Sequence, residues 1–138
     1  SSPNDGLIIA GHVPYNLRLK KSNIHYVGVL NQKMLFSLYK KADYFIHLAS
    51  LDCCPNVVVD ARACGCKIIC TDSGGTREIA GSNAIVLKDM EWDFEPFDLY
   101  NPSKLEFSTY STIGGLDSEI NMSHISKRYI NFIKESLK

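Results

Sequence analysis

The chain has 138 residues, of which 45% are hydrophobic and 22% charged. That is the balance of one ordinary globular domain and excludes a disordered tail, a collagen-like fibre and a coiled coil. Fifteen basic residues meet fifteen acidic ones, so the basic excess of a nucleic-acid binder is missing; the apolar runs, such as Leu7–Ala10, are far too short to cross a bilayer.

Leu7-Ile8-Ile9-Ala10-Gly11 reads as a buried strand closed by glycine, followed by a loop over Gly11–Pro14 that holds His12. Ile24–Gly28 reads as a second strand. Asn31 then offers a helix cap, and Met34, Leu35, Leu38, Tyr39 and Ala42 recur at helical spacing. Tyr44–Leu48 reads as a third strand. Residues 55–64 are ambiguous: Val57-Val58-Val59 favours a strand, whereas Pro55 near the start and Gly65 just past the end suit a helix. Cys66–Thr71 reads as a fourth strand, Gly74-Gly75 as a turn, Thr76–Ala80 as a short helix and Ala84–Leu87 as a fifth strand. Residues 88–116 mix Trp92, Phe94, Phe97, Tyr100, Phe107 and Tyr110 with acids and two prolines, and are expected to form an irregular, aromatic segment against the domain. Asp117–Leu137 is expected to be a final amphipathic helix, with Met122, Ile125, Tyr129, Ile133 and Leu137 in one stripe.

Strands alternating with helices at this pitch predict a Rossmann-like, three-layer α/β/α domain with a mainly parallel sheet over residues 1–138. Ligands of such sheets sit beyond the carboxyl ends of the strands. The loops to search are therefore 11–14, 28–31, 50–56 and 72–76.

Cys53, Cys54, Cys64, Cys66 and Cys70 are an odd number within a short stretch, a poor disulfide framework and a better fit to a reducing compartment. Adjacent and C-x-C spacings also fit zinc badly, since zinc pairs are usually C-x2-C or wider. These cysteines are expected to be small buried hydrophobes, and no metal site is expected.

The chemistry concentrates in residues 50–79. Asp52 lies in the loop after a strand, and a helix follows at once. The first N–H groups of that helix favour a bound anion such as a diphosphate. Asp60 lies eight positions on, and carboxylates accept the paired hydroxyls of sugars and ribose. Asp residues near helix starts also serve as plain caps.

This segment resembles the signature of retaining glycosyltransferases of family 4, which have the two-domain GT-B fold. Their C-terminal domain carries a pattern of the kind S-x-x-E-x7-E-A-x-A-x-G-x-P-V-[VI]-x-[ST]-x-x-G-G-x-x-E. Ser50, Ala61, Ala63, Gly65, Ile68, Ile69, Thr71, Gly74, Gly75 and Glu78 match it in order. Val27-Gly28-Val29 and the run Leu38-Tyr39, Ala42-Asp43 and Tyr44–Leu48 resemble the family's upstream text, so the resemblance covers roughly residues 5–87. Both acids of the pair are Asp rather than Glu, and Lys67 stands where Pro is usual.

The resemblance implies the donor-binding part of a hexosyltransferase-type enzyme that moves a sugar from a nucleotide-sugar donor, UDP or GDP type, to a hydroxyl acceptor with retention and without a metal or other cofactor. It implies Asp52 as the acid near the transferred sugar and Asp60 as the ribose ligand. Cys53, Cys54, Pro55, Asn56 and Val57 would form the loop and helix start facing sugar and diphosphate. Gly28, Val29 and Leu30 would meet the base through main-chain groups, and Gly74 and Gly75 would line the donor site. The family's acceptor domain, and the basic pair that holds the diphosphate, have no counterpart here. The chain therefore resembles one part of a longer enzyme, expected to bind weakly and not to turn over alone. The glycan or lipid-linked acceptor would be met by the other domain, in the cytoplasm or at the cytosolic face of a membrane, with peripheral membrane contact and no nucleic acid. A non-catalytic nucleotide- or sugar-binding module and an epimerase-like GT-B protein are the alternatives.

Overall fold

The structure, a computed structural model, describes residues 5–89, 105, 110–111 and 120–136. Most of the expected irregular segment 88–116, with five of its six aromatics, lies outside the described residues, as do residues 117–119 and Leu137 of the expected last helix. The chain forms two compact units, Ser1–Leu38 and Tyr39–Lys138.

In the first unit, β1 (Leu7–Ala10) and β2 (Ile24–Gly28) pair in parallel, with Leu7 opposite Ile24. The register slips between Ile9 and Ala10, which sets Ala10 opposite Gly28. Gly11 N–H then donates to Gly28 O at 2.8 Å. The crossover between the strands includes a 3-10 turn at Tyr15–Leu17 and is gathered by Arg18. Its guanidinium lies 5.1 Å from the Tyr26 ring centroid, and its Nε donates to Val13 O at 3.0 Å. After β2, Asn31 Oδ1 accepts the Met34 N–H at 2.9 Å and starts α1 (Gln32–Tyr39), the cap that the sequence suggests.

In the second unit, β3 (Tyr44–His47), β4 (Lys67–Thr71) and β5 (Ile85–Leu87) lie side by side in parallel, and β6 (Tyr110–Ser111) closes the edge antiparallel to β5. Strand β4 is the centre: Ile68, Cys70 and Thr71 are buried, as a strand covered on both faces requires. Val86 and Leu87 of β5 complete the core with Val58 and Ala61 from α2 (Asn56–Ala63). Fully burying a Val, Ile or Leu is worth about 1.5–3 kcal/mol each.

The ambiguous segment is thus a helix. Three valines pull toward a strand, but two other terms win. Val58 and Ala61, three apart, share the buried face. Gly65, at φ +97°, stops the helix: Gly65 N–H donates to Arg62 O at 3.0 Å and Cys66 N–H to Ala61 O at 3.1 Å, the paired bonds of a Schellman end.

Short α3 (Thr76–Ile79) follows β4. The last helix, α4 (Met122–Ser136), is opened by Asn121, whose Oδ1 accepts the Ser123 N–H at 3.0 Å. None of its residues is fully buried: Met122, Tyr129 and Ile133 of the expected stripe are exposed, and Ile125 is half-buried.

The fold is therefore mixed, Rossmann-like α/β with parallel strands, as expected. The expected single sheet is divided into a two-stranded and a four-stranded one, and β6 has no forerunner in the sequence reading. Among the described residues no helix is long and apolar enough to cross a membrane.

The cysteines depart from expectation in part. Cys66 and Cys70 are buried, but Cys53 and Cys54 are exposed and Cys64 is half-buried. Burial pushes the Cys70 thiol up to about 11, with nearby Arg77 opposing the rise. Burial likewise raises the Cys66 thiol, whose Sγ donates to Tyr39 O at 2.9 Å. Among the described residues, no three His, Cys, Asp or Glu side chains stand close enough to hold a metal ion.

Candidate functional site

The carboxyl ends of β3 and β4 open into short loops, Leu48–Pro55 and Asp72–Gly75, and Lys88 and Asp89 follow the end of β5. In a parallel sheet these ends lie along one edge. Thr71 is fully buried, and its Oγ1 donates to Ala49 O at 3.3 Å. It also lies 3.1 Å from Ser73 Oγ. Ser73 Oγ donates to Asp89 Oδ2 at 2.8 Å, and Ser50 Oγ donates to the same oxygen at 3.2 Å. Asp72 Oδ1 accepts the Asp89 N–H at 2.7 Å. One carboxylate thus ties both loops to the end of β5, and hydrogen bonds to an ionised acceptor are the stronger kind.

Asp52 sits where these two loops touch. Leu51, at φ 56°, is the one non-glycine residue with positive φ among the described residues. Its N–H donates to Ser73 Oγ at 3.4 Å. That left-handed step turns the chain back at the end of β3. Gly75 N–H then donates to Asp52 O at 2.9 Å. Gly74 lies so close that a Cβ there would stand 2.5 Å from Asp52 O and 2.9 Å from Asp52 N. Gly74 also has φ +70°, so it needs glycine for two reasons. Gly75 has an ordinary φ of −92° and needs glycine only for the close approach to Cys53.

The Asp52 carboxylate is not the cap of the following helix. The N-cap of α2 is Pro55, and no side chain caps it. Instead Asp52 Oδ2 lies 3.2 Å from His47 Nε2, with His47 14% and Asp52 34% exposed. A carboxylate only accepts, so the imidazole is the donor.

The first turn of α2 has exposed Asn56 and Val57, after buried Pro55 and exposed Cys53 and Cys54. No side chain caps its leading N–H groups, and groups of this kind are satisfied by water or an anion. Asp60 lies further along α2 and is half-buried. Its carboxylate makes no hydrogen bond or ion pair with the described residues, and its charge helps to raise the Tyr39 phenol, chiefly raised by burial. Asp52, Cys53, Gly74 and Gly75 are thus in direct contact, whereas Asp60 stands apart on the helix. Fully buried Thr76, just past the glycines, has an Oγ1 without a partner among the described residues.

In the first unit, Gly28 ends β2 at φ +71°, Val29 is 81% exposed and Leu30 is half-buried. Their main-chain groups lie at the carboxyl end of a strand, as anticipated. His12 is exposed.

Sequence reasoning missed His47, which it took in only as part of the third strand, and the Ser73–Asp89 clasp. The signal for His47 was its place as last residue of a strand whose next loop carries an acid. Asp89 gave no local signal, because its partners lie 16 and 39 positions away.

A model of the family described as glycosyl transferases group 1 matches residues 3–94, which takes in every loop of this site. The match covers more than half of the chain, and the chain belongs to that family. No curated protein and no solved structure matches it. A domain of this family serves glycosyl transfer and so implies a sugar donor and an acceptor.

Proposed function

We propose that the chain is the donor-binding part of a retaining, GT-B-type glycosyltransferase of family 4 that uses a nucleotide sugar of the UDP or GDP series. The observation that carries this reading is Asp52. Its main chain is fixed by Gly74 and Gly75, its carboxylate is turned away from helix capping, and it remains one-third exposed at the strand ends.

In this reading Asp52 accepts hydroxyls of the transferred sugar. The uncapped first turn of α2, after Cys53–Pro55, faces the diphosphate. As the glycosidic bond breaks, negative charge grows on the leaving diphosphate, and aligned N–H groups favour that charge. Asp60, half-buried and with no hydrogen bond or ion pair to its carboxylate among the described residues, accepts the ribose hydroxyls. The main chain of Gly28, Val29 and Leu30 is proposed for the base. The proposed reaction uses no resident metal, and its hydroxyl acceptor is held by another domain of a longer cytoplasmic enzyme.

The test is a ligand-detected NMR screen of UDP, GDP and their sugars at millimolar concentration. Binding of one series, weakened at least about tenfold in Asp60→Ala, is expected from the loss of hydrogen bonds to a charged acceptor. No binding by either series, or binding indifferent to Asp60→Ala, would overturn the reading.

A further inference from the structure

We propose that His47 is the positioning residue for Asp52: it holds one carboxylate oxygen so that the other is presented to the donor sugar. The inference rests on the donor reading above and deepens it. It starts from three restraints that converge on one side chain. The left-handed Leu51 brings Asp52 back to the end of β3, where His47 is the last residue. The Asp52 backbone is then held by the Gly75 N–H and enclosed by Gly74. With the backbone fixed, only the side-chain torsions of Asp52 remain free, and the 3.2 Å contact from His47 Nε2 to Oδ2 fixes those.

The imidazole is itself held. It is only 14% exposed, and its ring lies nearly parallel to that of Phe45, the other residue on that face of β3, at 6.4 Å and 20°. A rigid donor therefore meets an otherwise adjustable acceptor. Oδ1 of Asp52 has no partner among the described residues, and the side chain is one-third exposed. Asp is one methylene shorter than the Glu that the resemblance places here, so its carboxylate stays close to the strand end. A donor on the strand's last residue is what that shorter reach can meet.

The role is one of direction, so the test compares ligands with and without the sugar. In the full 138-residue chain, His47→Phe keeps a ring on Phe45 and removes the donor, whereas His47→Gln restores a donor near the place of Nε2. NMR titration measures affinity for the preferred nucleotide sugar and for its nucleoside diphosphate alone. Expected are a loss of about tenfold for the nucleotide sugar in His47→Phe, no change for the diphosphate, and recovery of most of the loss in His47→Gln. A merely structural role would weaken both ligands together and lower the melting temperature. An equal loss for both, or an unchanged preference for the sugar, would overturn the proposal. A second arm needs no ligand: a hydrogen-bonded imidazole Nε2 proton of His47 should be resolved at low temperature and vanish in Asp52→Ala. Its absence from the wild type would overturn the pairing. If the proton is present and no nucleotide sugar binds the wild type, the donor reading falls, and the role of His47 toward a sugar falls with it.

Discussion

Gly75 and Cys53 touch backbone to backbone: a Cβ on Gly75 would overlap the carbonyl oxygen of Cys53. The neighbouring Gly75 N–H bond to Asp52 O, 2.9 Å long, fastens the same two loops. The obstacle is main chain, which no rotamer change can move aside.

Gly75→Ala should therefore destabilise the chain by about 1–3 kcal/mol, the usual cost of overpacking. Gly11→Ala is the contrast. That glycine has φ +116° but nothing within 4 Å of a built Cβ, so it should lose only about 1 kcal/mol from the left-handed conformation. Urea unfolding of both variants checks the order. Equal losses would mean that the Gly75 contact relaxes freely.

Ser73→Ala should release two loops at once. The hydroxyl donates to Asp89 Oδ2 and accepts the Leu51 N–H. Removing a partner of a charged acceptor costs about 1–3 kcal/mol. Amide exchange at Leu51 should rise in the same variant, whereas exchange at Ile68 in the middle of β4 should follow only the global loss.

The buried acids set an alkaline limit. Cys70 is pushed up to about 11, and Cys66 and Tyr39 are raised in the same direction, chiefly by burial. Well below the ordinary thiol value of 9.0 the Cys70 thiol is protonated in both folded and unfolded chains, so it adds no pH dependence there. Above that, the unfolded chain loses the proton first, and stability falls as pH rises toward 11. The melting temperature should drop across that window, less steeply in Cys70→Ala. At pH 8, an aromatic disulfide reagent should modify exposed Cys53 and Cys54 readily and reach Cys66 and Cys70 only on unfolding.

Asn31→Ala should weaken the start of α1 by about 1 kcal/mol, because Asn31 Oδ1 takes the Met34 N–H. Asn31→Ser, which can also cap, should restore most of it. Exchange protection of the Met34 amide is the direct measurement.

Strands β1 to β5 were legible because each is a short, largely apolar run, although only β4 and β5 carry buried residues on both faces. Helix α2 was half legible: Val57–Val59 speak for a strand locally, and only the burial of Val58 with Ala61 and the turn at Gly65 decide. Strand β6 was invisible, since two residues carry no period and Tyr110–Ser111 owe their form to Val86 and Leu87 opposite. At the site, the place of Asp52 and of Gly74 and Gly75 in the loops after two strands could be read from the sequence. The bond to His47 could not, because it depends on the sign of φ at Leu51, which no leucine announces. Asp89 was out of reach for a similar reason: its partners become neighbours only when three strands are aligned.

That last feature fixes an order of assembly. The loops after β3 and β4 can approach once those strands pair, yet the carboxylate that ties Ser50 to Ser73 arrives only with the residue that follows Lys88. During synthesis these two loops would thus be joined by their direct bonds alone until the ribosome has released Asp89. A nascent chain halted before β5 would carry both loops without their shared anchor.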